Sequence, residues 1–326
     1  MSSYPATLAT RIAPGKIRQV EEAIELSVRG KAEAVRMALV CLLSRGHLLI
    51  EDVPGVGKTT LAQALARTVD CDFHRLQFTS DMLPSDVLGV TVYNAHTEEF
   101  EYKPGPVFTN FLLADEINRT TPKTQSALLE AMNEQQVSVE GRTLTLPDPF
   151  MVIATQNPVE HHGTYPLPES QLDRFLMRVR IGYPDLQSER EIVRQGEALH
   201  GETTPRVLTR DELRELQAAV KDVQVDDAIV DYMLSIVEHT RKHEGLALGV
   251  SPRGSQALYR AVQANALIEG RGYTLPDDVK LLAPRVLGHR VMPDVRTSLA
   301  RRREANSAAV GERIIGEILA QIEVPL

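Results

Sequence analysis

The chain has 326 residues, of which 43% are hydrophobic and 25% charged, and carries a formal net charge of −8. That length buries a large core and suits two domains, while the acidic balance argues against a coat for nucleic acid and leaves room only for one basic channel inside a ring. Two cysteines, Cys41 and Cys71, at unpaired spacing exclude a disulfide framework and a CxxC metal site and read as small core residues in a reducing compartment.

No apolar leader opens the sequence, and its longest uninterrupted apolar run, Met37 to Leu43, is far too short to span a bilayer. The expected location is the cytoplasm. From His47 to about Pro184 short apolar runs alternate with helical stretches, the pattern of a mostly parallel sheet covered by helices. Residues 47–51, 73–78, 111–115, 151–155 and 177–181 are the predicted strands. A short helix near residues 84–88 precedes a predicted hairpin in which Val90, Val92, Phe100 and Tyr102 alternate around residues 94–97. A second predicted hairpin has Val137, Val139, Leu144 and Leu146 around Glu140-Gly141-Arg142. Past Pro184 strand signals stop. Thr209 with Glu212 forms a capping box, Ile229, Met233, Ile236 and Val237 make a helical stripe, and Ser251-Pro252 and Thr274…Asp277 read as further helix starts. A last amphipathic helix carries Ile314, Ile315, Ile318 and Leu319, and Arg301-Arg302-Arg303 reads as a solvated helix face. The expected organisation is an α/β domain over residues 1–184 and an all-helical domain over residues 185–326.

The segment Asp52-Val53-Pro54-Gly55-Val56-Gly57-Lys58-Thr59 joins the first strand to a predicted helix over residues 59–69. In a strand, glycine loop and helix of this kind, backbone N–H groups and the positive end of the helix dipole converge on one spot suited to phosphate. Lys58, a cation in a first helical turn, opposes the dipole unless a polyphosphate lies against it. The full pattern asks for glycine where Asp52 stands, so the match is one residue short. Pro54, Gly55, Val56, Gly57, Lys58, Thr59 and Thr60 are the expected nucleotide contacts, with Lys58 on the β- and γ-phosphates and Thr59 on Mg²⁺.

The predicted strand ending in Asp115-Glu116 would place two carboxylates beside that loop at the carboxyl end of a parallel sheet. Asp115 would hold Mg²⁺ through water and Glu116 would take a proton from the water attacking the γ-phosphate. Asn157 ends the next strand and faces the γ-phosphate if that strand lies between the other two; by itself Gln156-Asn157-Pro158 is also a plain turn. Arg253, just after Ser251-Pro252, is a second cation in a first helical turn that a bound phosphate would explain. Arg174 and Arg178 both lie just before or on an apolar strand, and either could be a surface charge or an arginine supplied to a neighbouring subunit, with nothing local to separate the readings. His161-His162 lacks partners at metal-ligand spacing and reads as loop polarity.

P-loop, Asp115-Glu116, Asn157, Arg174 and Arg253 stand in the order of Walker A, Walker B, sensor 1, arginine finger and sensor 2 of the AAA+ ATPases. The segments Glu51–Thr59, Tyr102-Lys103-Pro104-Gly105-Pro106-Val107-Phe108, Ala114-Asp115-Glu116-Ile117-Asn118-Arg119 and Gly163-Thr164-Tyr165-Pro166-Leu167-Pro168-Glu169 resemble the MoxR family. The likeness extends to Val250-Ser251-Pro252-Arg253 and Gly288-His289-Arg290, and Asp52 fits this branch. It implies a doubly wound P-loop sheet with a helix-2 insert near Val90 to Tyr102, a hairpin before sensor 1 near Val137 to Leu146, and a helical lid. It also implies ATP and Mg²⁺ as cofactors, a hexameric ring, and chaperone-like remodelling or cofactor insertion of a protein substrate beside a von Willebrand factor A domain partner. Val28 to Lys31 resemble the family's adenine-side segment. Two other activities fit less well. A DNA-acting motor runs against the acidic balance and hairpin tips with few cations, Arg142 being the only one in the second turn. A slow nucleotide-gated module runs against the presence of Glu116 and Asn157.

Overall fold

The computed structural model describes residues 8–139, 141–157, 164–195, 204–294 and 307–325. His161-His162 and Arg301-Arg302-Arg303 lie outside them. Two helices, α1 (Leu8–Ser27) and α2 (Ala32–Leu43), lead into β1 (Leu48–Glu51), α3 (Lys58–Thr68), β2 (Phe73–Gln77) and α4 (Pro84–Leu88). A hairpin of β3 (Gly89–Asn94) and β4 (Glu99–Pro104) follows, then β5 (Phe111–Asp115), α5 (Pro122–Glu134) and a second hairpin of β6 (Gln136–Val139) and β7 (Arg142–Thr145). The α/β part closes with β8 (Met151–Gln156), α6 (Glu169–Leu172) and β9 (Met177–Val179). Both hairpins stand where the alternating residues predicted them, with Tyr93 opposite Phe100 and Val137 opposite Leu144.

Five strands form one parallel sheet in the order β2-β5-β8-β1-β9. The inner strands are continuous apolar runs because helices cover both faces. Along β1, Leu48 and Ile50 point into one core with α2, α3 and the lid helices, while Leu49 joins Leu112, Val152 and Phe175 in the core against α5. On β2 no residue is fully buried and charge appears, as suits an edge strand. The strand predicted over residues 177–181 stops at Val179. The Ile181 and Gly182 N–H groups bond the Asp52 carboxylate at 2.8 and 2.6 Å instead of a neighbouring strand.

Beyond β9 follow α7 (Leu186–Gln195), α8 (Arg210–Ala219), α9 (Asp227–Lys242), β10 (Leu246–Leu248), α10 (Pro252–Ile268), α11 (Pro276–Leu287), β11 (Met292–Pro293) and α12 (Ser307–Gln321). Thr209 and Glu212 form the expected capping box on α8, and Ser251 Oγ caps α10 by accepting from Gly254 N. Helix α11 begins one residue later than Thr274…Asp277 predicts. Leu275 is its N-cap and Asp278 accepts the Leu275 N–H at 2.8 Å. Among the described residues beyond β9 the strands are β10 and β11, paired with each other and too short to carry a period in sequence. The apolar stripes of α9 and α12 face inward, with Ile236 and Ile315 fully buried. Helix α1 packs on α3, α8 and α10, so one apolar core runs from the sheet into the lid. Among the described residues no helix is long and apolar enough to cross a membrane.

Candidate functional site

The turn from β1 into α3 is built on backbone conformation. Gly55 and Gly57 have φ of +84° and +94°, values that side-chain-bearing residues rarely adopt, although space beside both is open. Gly57 is the N-cap of α3, so the first-turn N–H groups face the loop. Lys58, the first residue of the helix, folds back over the loop, its Nζ donating to the carbonyls of Asp52 at 2.7 Å and Val53 at 3.2 Å. Burial lowers its pKa, against the opposing pull of Asp115, Asp52 and Glu116. The Asp52 carboxylate accepts from Val53 N at 2.9 Å as well as from Ile181 and Gly182. Glycine at that position could make none of these bonds. Asp52 ties the loop to the chain leaving β9.

Beside the loop, β5 ends in Asp115, which is buried. Thr155 Oγ1 donates to Asp115 Oδ1 at 2.6 Å, and Arg75 donates to Oδ2 through Nη2 at 2.6 Å and Nε at 3.2 Å. The next residue, Glu116, adopts the left-handed region at φ 57°, a costly conformation for a side-chain-bearing residue and one found at functional sites. Its N–H donates to the same Thr155 hydroxyl at 2.9 Å, and its Oε2 accepts from Gln77 Nε2 at 2.7 Å and pairs with Arg119 at 3.1 Å. Arg75, Gln77 and Thr155 were not singled out in sequence. The signal that could have found the first two is two polar residues at period two on an edge strand; Thr155 inside an apolar run gives none. Strand β8 does lie between β5 and β1, and Asn157, directly after it, is buried at 7% exposure.

A cleft of about 210 Å³ opens between Val28, Lys31, Val56, Thr60 and Ile192, bordering the glycine loop. The segment Val28 to Lys31 is therefore brought to the loop. Ile192 joins from α7, which sequence reading did not connect with the site.

The arginines divide. Arg178 is buried at 4% exposure, with Nη1 3.4 Å from Glu51 and Nη2 2.8 Å from Glu312 of α12, which closes it off from any second molecule. Arg174 is half-buried, its Nη1 on the Leu129 carbonyl at 2.6 Å. It shares a cleft of about 520 Å³ with Arg253, Arg45, Arg260 and Arg290. Burial lowers the Arg174 pKa and the Arg253 charge lowers it further, while Glu130 and Glu134 oppose. Arg253 donates to Asn133 Oδ1 at 2.5 Å. This cleft is lined by the residues that enter β1, Ser44 to His47, whereas the phosphate loop leaves it. At roughly 3.3 Å per residue the two ends lie about 16 Å apart along the strand. Arg174 and Arg253 are thus brought to each other and not to the loop of their own chain.

A parallel sheet with a glycine loop, paired carboxylates and a buried asparagine at its carboxyl end, joined to a helical lid, defines an ATPase of the AAA class. A family model described as ATPase family associated with various cellular activities matches residues 47–177, and an AAA lid domain model matches residues 238–312. The chain is 51% identical over 300 residues to the uncharacterised protein YeaC of Bacillus subtilis, covering 91% of each. It is 46% identical over 275 residues to Chaperone MoxR1 of Mycobacterium tuberculosis, covering 81% of this chain and 72% of that one. To Protein MoxR of Paracoccus denitrificans it is 32% identical over 338 residues, covering 95% and 96%. A crystal structure from Cytophaga hutchinsonii, of a protein assigned as an ATPase, matches with a TM-score of 0.88 at 36% identity over 98% of this chain and 97% of its own. The chain belongs to the MoxR family of AAA+ ATPases.

Proposed function

We propose that this ATPase works as a hexameric ring in which each site is completed by two arginines of the neighbouring subunit. The observation that carries the proposal is the pairing of Arg174 with Arg253 at the end of the sheet opposite the phosphate loop. In our assignment the backbone from Pro54 to Gly57 and residues Lys58, Thr59 and Thr60 hold the phosphates of ATP. Asn157 orients water, Glu116 takes its proton, and the neighbour's Arg174 and Arg253 stabilise charge on the transferring phosphoryl group. The two acids have different side-chain partners, Asp115 taking Thr155 and Arg75 and Glu116 taking Gln77 and Arg119, which suits them to separate tasks. Thr59 and Asp115 supply hard oxygen donors flanking the loop, the donor type that Mg²⁺ takes when it also keeps water and phosphate oxygens. Bound there, Mg²⁺ neutralises charge on the β- and γ-phosphates. The division at residues 184 and 185 separates the loop-bearing part from the lid that carries Arg253.

The substrate in this reading is a protein that the ring remodels or helps to load with a cofactor or metal, in the cytoplasm, beside a partner with a von Willebrand factor A domain. The name Chaperone MoxR1 of a relative supports the chaperone part. Mg²⁺-dependent ATP turnover per subunit, measured across a wide range of protein concentration, tests the shared site. The specific rate is expected to rise and then saturate as subunits meet. A constant rate down to concentrations where sedimentation shows monomers would overturn it.

A further inference from the structure

We infer that Asp173 is a positioning residue that locks Arg174 and Arg253 into one rigid pair, so that the segment before β9 and the lid meet a neighbouring subunit's nucleotide together. The inference rests on the shared-site reading above. Asp173 precedes Arg174 directly, and its carboxylate is divided between two lid residues. Ser251 Oγ donates to Oδ2 at 3.0 Å and Arg290 Nε donates to Oδ1 at 2.7 Å. Ser251 is the N-cap of α10, its hydroxyl oxygen also accepting from Gly254 N at 3.2 Å, and Arg253 lies between these two residues. One carboxylate therefore fixes the first turn that carries Arg253 to the residue next to Arg174.

The surroundings stiffen this joint from the other side. Arg290, buried at 6% exposure, spreads its guanidinium over the Leu176 carbonyl at 2.9 Å and the Phe175 carbonyl at 2.6 Å. His289 Nε2 donates to the same Phe175 carbonyl at 3.1 Å. Gly288-His289-Arg290, noted in sequence only as a likeness, thus clasps the four residues from Asp173 to Leu176. The clasp has a reason in charge. Arg174 and Arg253 repel each other across the cleft, and free side chains on separate elements would relieve the repulsion by moving apart. Anchoring both backbones to one carboxylate keeps two cations converged before an anion arrives, which is what makes fixed charges effective when phosphoryl charge develops.

The test is steady-state ATP turnover of the full chain at assembling concentration, with melting temperature and nucleotide affinity alongside. Asp173→Asn places an amide where two donors converge. Its kcat is expected to fall at least tenfold while KM for Mg-ATP stays within twofold, since every phosphate loop is intact. Ser251→Ala, a milder cut of the same joint, is expected to move kcat in the same direction with the melting curve nearly retained. The decisive comparison adds Asp173→Asn to a chain carrying both Arg174→Ala and Arg253→Ala, expected to be no slower than that chain alone, because with both arginines gone a residue that acts only through the pair has nothing left to position. Full kcat in Asp173→Asn beside a slow Arg174→Ala would overturn the inference and leave the shared site standing. A further loss when Asp173→Asn is added to the chain lacking both arginines, or a raised KM with a lowered melting temperature, would make Asp173 a general scaffold and overturn it too. Full kcat in both Arg174→Ala and Arg253→Ala would instead remove the shared site itself.

Discussion

One hydroxyl sets the geometry of both carboxylates beside the phosphate loop. Thr155 Oγ1 gives its proton to Asp115 Oδ1 at 2.6 Å and takes the Glu116 N–H at 2.9 Å, so a single atom on β8 fixes the last residue of β5 and the one after it. A threonine hydroxyl has one proton to give and lone pairs to accept with, and here both capacities are used. Thr155 is fully buried. Thr155→Val keeps the shape and leaves two groups short of a partner: a buried N–H and a carboxylate oxygen. Each such loss costs about 1–3 kcal/mol, and the Glu116 backbone loses a bond that helps hold its left-handed turn. Thr155→Val is expected to lower unfolding stability by about 2 kcal/mol and turnover by at least tenfold, with nucleotide affinity less affected. Urea unfolding and phosphate release measured on the same preparation check both parts. Arg75 and Gln77 act at the same scale, holding Asp115 and Glu116 from the edge strand.

Between elements, His47 couples the entry of β1 to α5 and β8. Its Nδ1 accepts the Val152 N–H at 2.9 Å, which leaves Nε2 to carry the proton and donate to the Met132 carbonyl at 3.1 Å. The neutral ring satisfies both neighbours, whereas a protonated ring would set a second N–H against that of Val152. Burial, with the charge of Arg253, lowers its pKa to about 4 from an ordinary 6.5. The folded state therefore refuses a proton that the unfolded chain accepts. The stability this confers is present above pH 6.5 and is lost as pH falls toward 4, by about 2 kcal/mol at pH 5 for one group at about 1.4 kcal/mol per unit. His289, buried and beside Arg290 and Arg178, titrates well below its ordinary value and adds loss of the same sign. Urea unfolding at pH 7 and pH 5 measures the slope, and His47→Gln is expected to flatten it. None of this was legible in sequence, where His47 reads only as the first residue of a strand. What was legible was periodic: five strands within a residue or two, both hairpins, and the caps at Thr209 and Ser251, because these depend on neighbours three or four positions away. Leu275 in place of Thr274 at the head of α11 shows the limit, since Asp278 reaches back to whichever N–H the tertiary packing presents. The phosphate loop and the two acids were legible because their chemistry follows directly on strand ends. Asp52's bonds to Ile181 and Gly182, and the burial of Arg178 between Glu51 and Glu312, depend on contacts across more than a hundred residues.

For the whole molecule, two of the lid's attachments to the sheet have different consequences. Glu312 of α12 reaches Arg178, which also meets Glu51 at the mouth of the chain's own phosphate loop. Ser251 and Arg290 hold Asp173 at the opposite end of the sheet, beside the arginine pair. In the proposed shared site, a lid fastened at both ends would tie the loop of one site to the arginines offered to the next, and head-to-tail repetition of that unit would close into a ring. The geometry predicts complementation between two inactive chains. Glu116→Gln keeps its arginines and loses its base; Arg174→Ala keeps its base and loses an arginine. Neither alone is expected to turn over ATP above a few per cent of the wild-type rate. Mixed in equal amounts and allowed to exchange subunits, they create interfaces in which the intact base of an Arg174→Ala chain faces the intact arginine of a Glu116→Gln neighbour. Random assembly makes about one interface in four of this fully wild-type kind, so turnover per subunit is expected to recover toward a quarter of the wild-type value. Mixing Glu116→Gln with a chain carrying both Glu116→Gln and Arg174→Ala supplies no base and is expected to recover nothing. Sites complete within one subunit would give no recovery in either mixture, provided that labelled chains are seen to exchange, and that outcome would require Arg174 to act on its own chain's nucleotide across the length of β1.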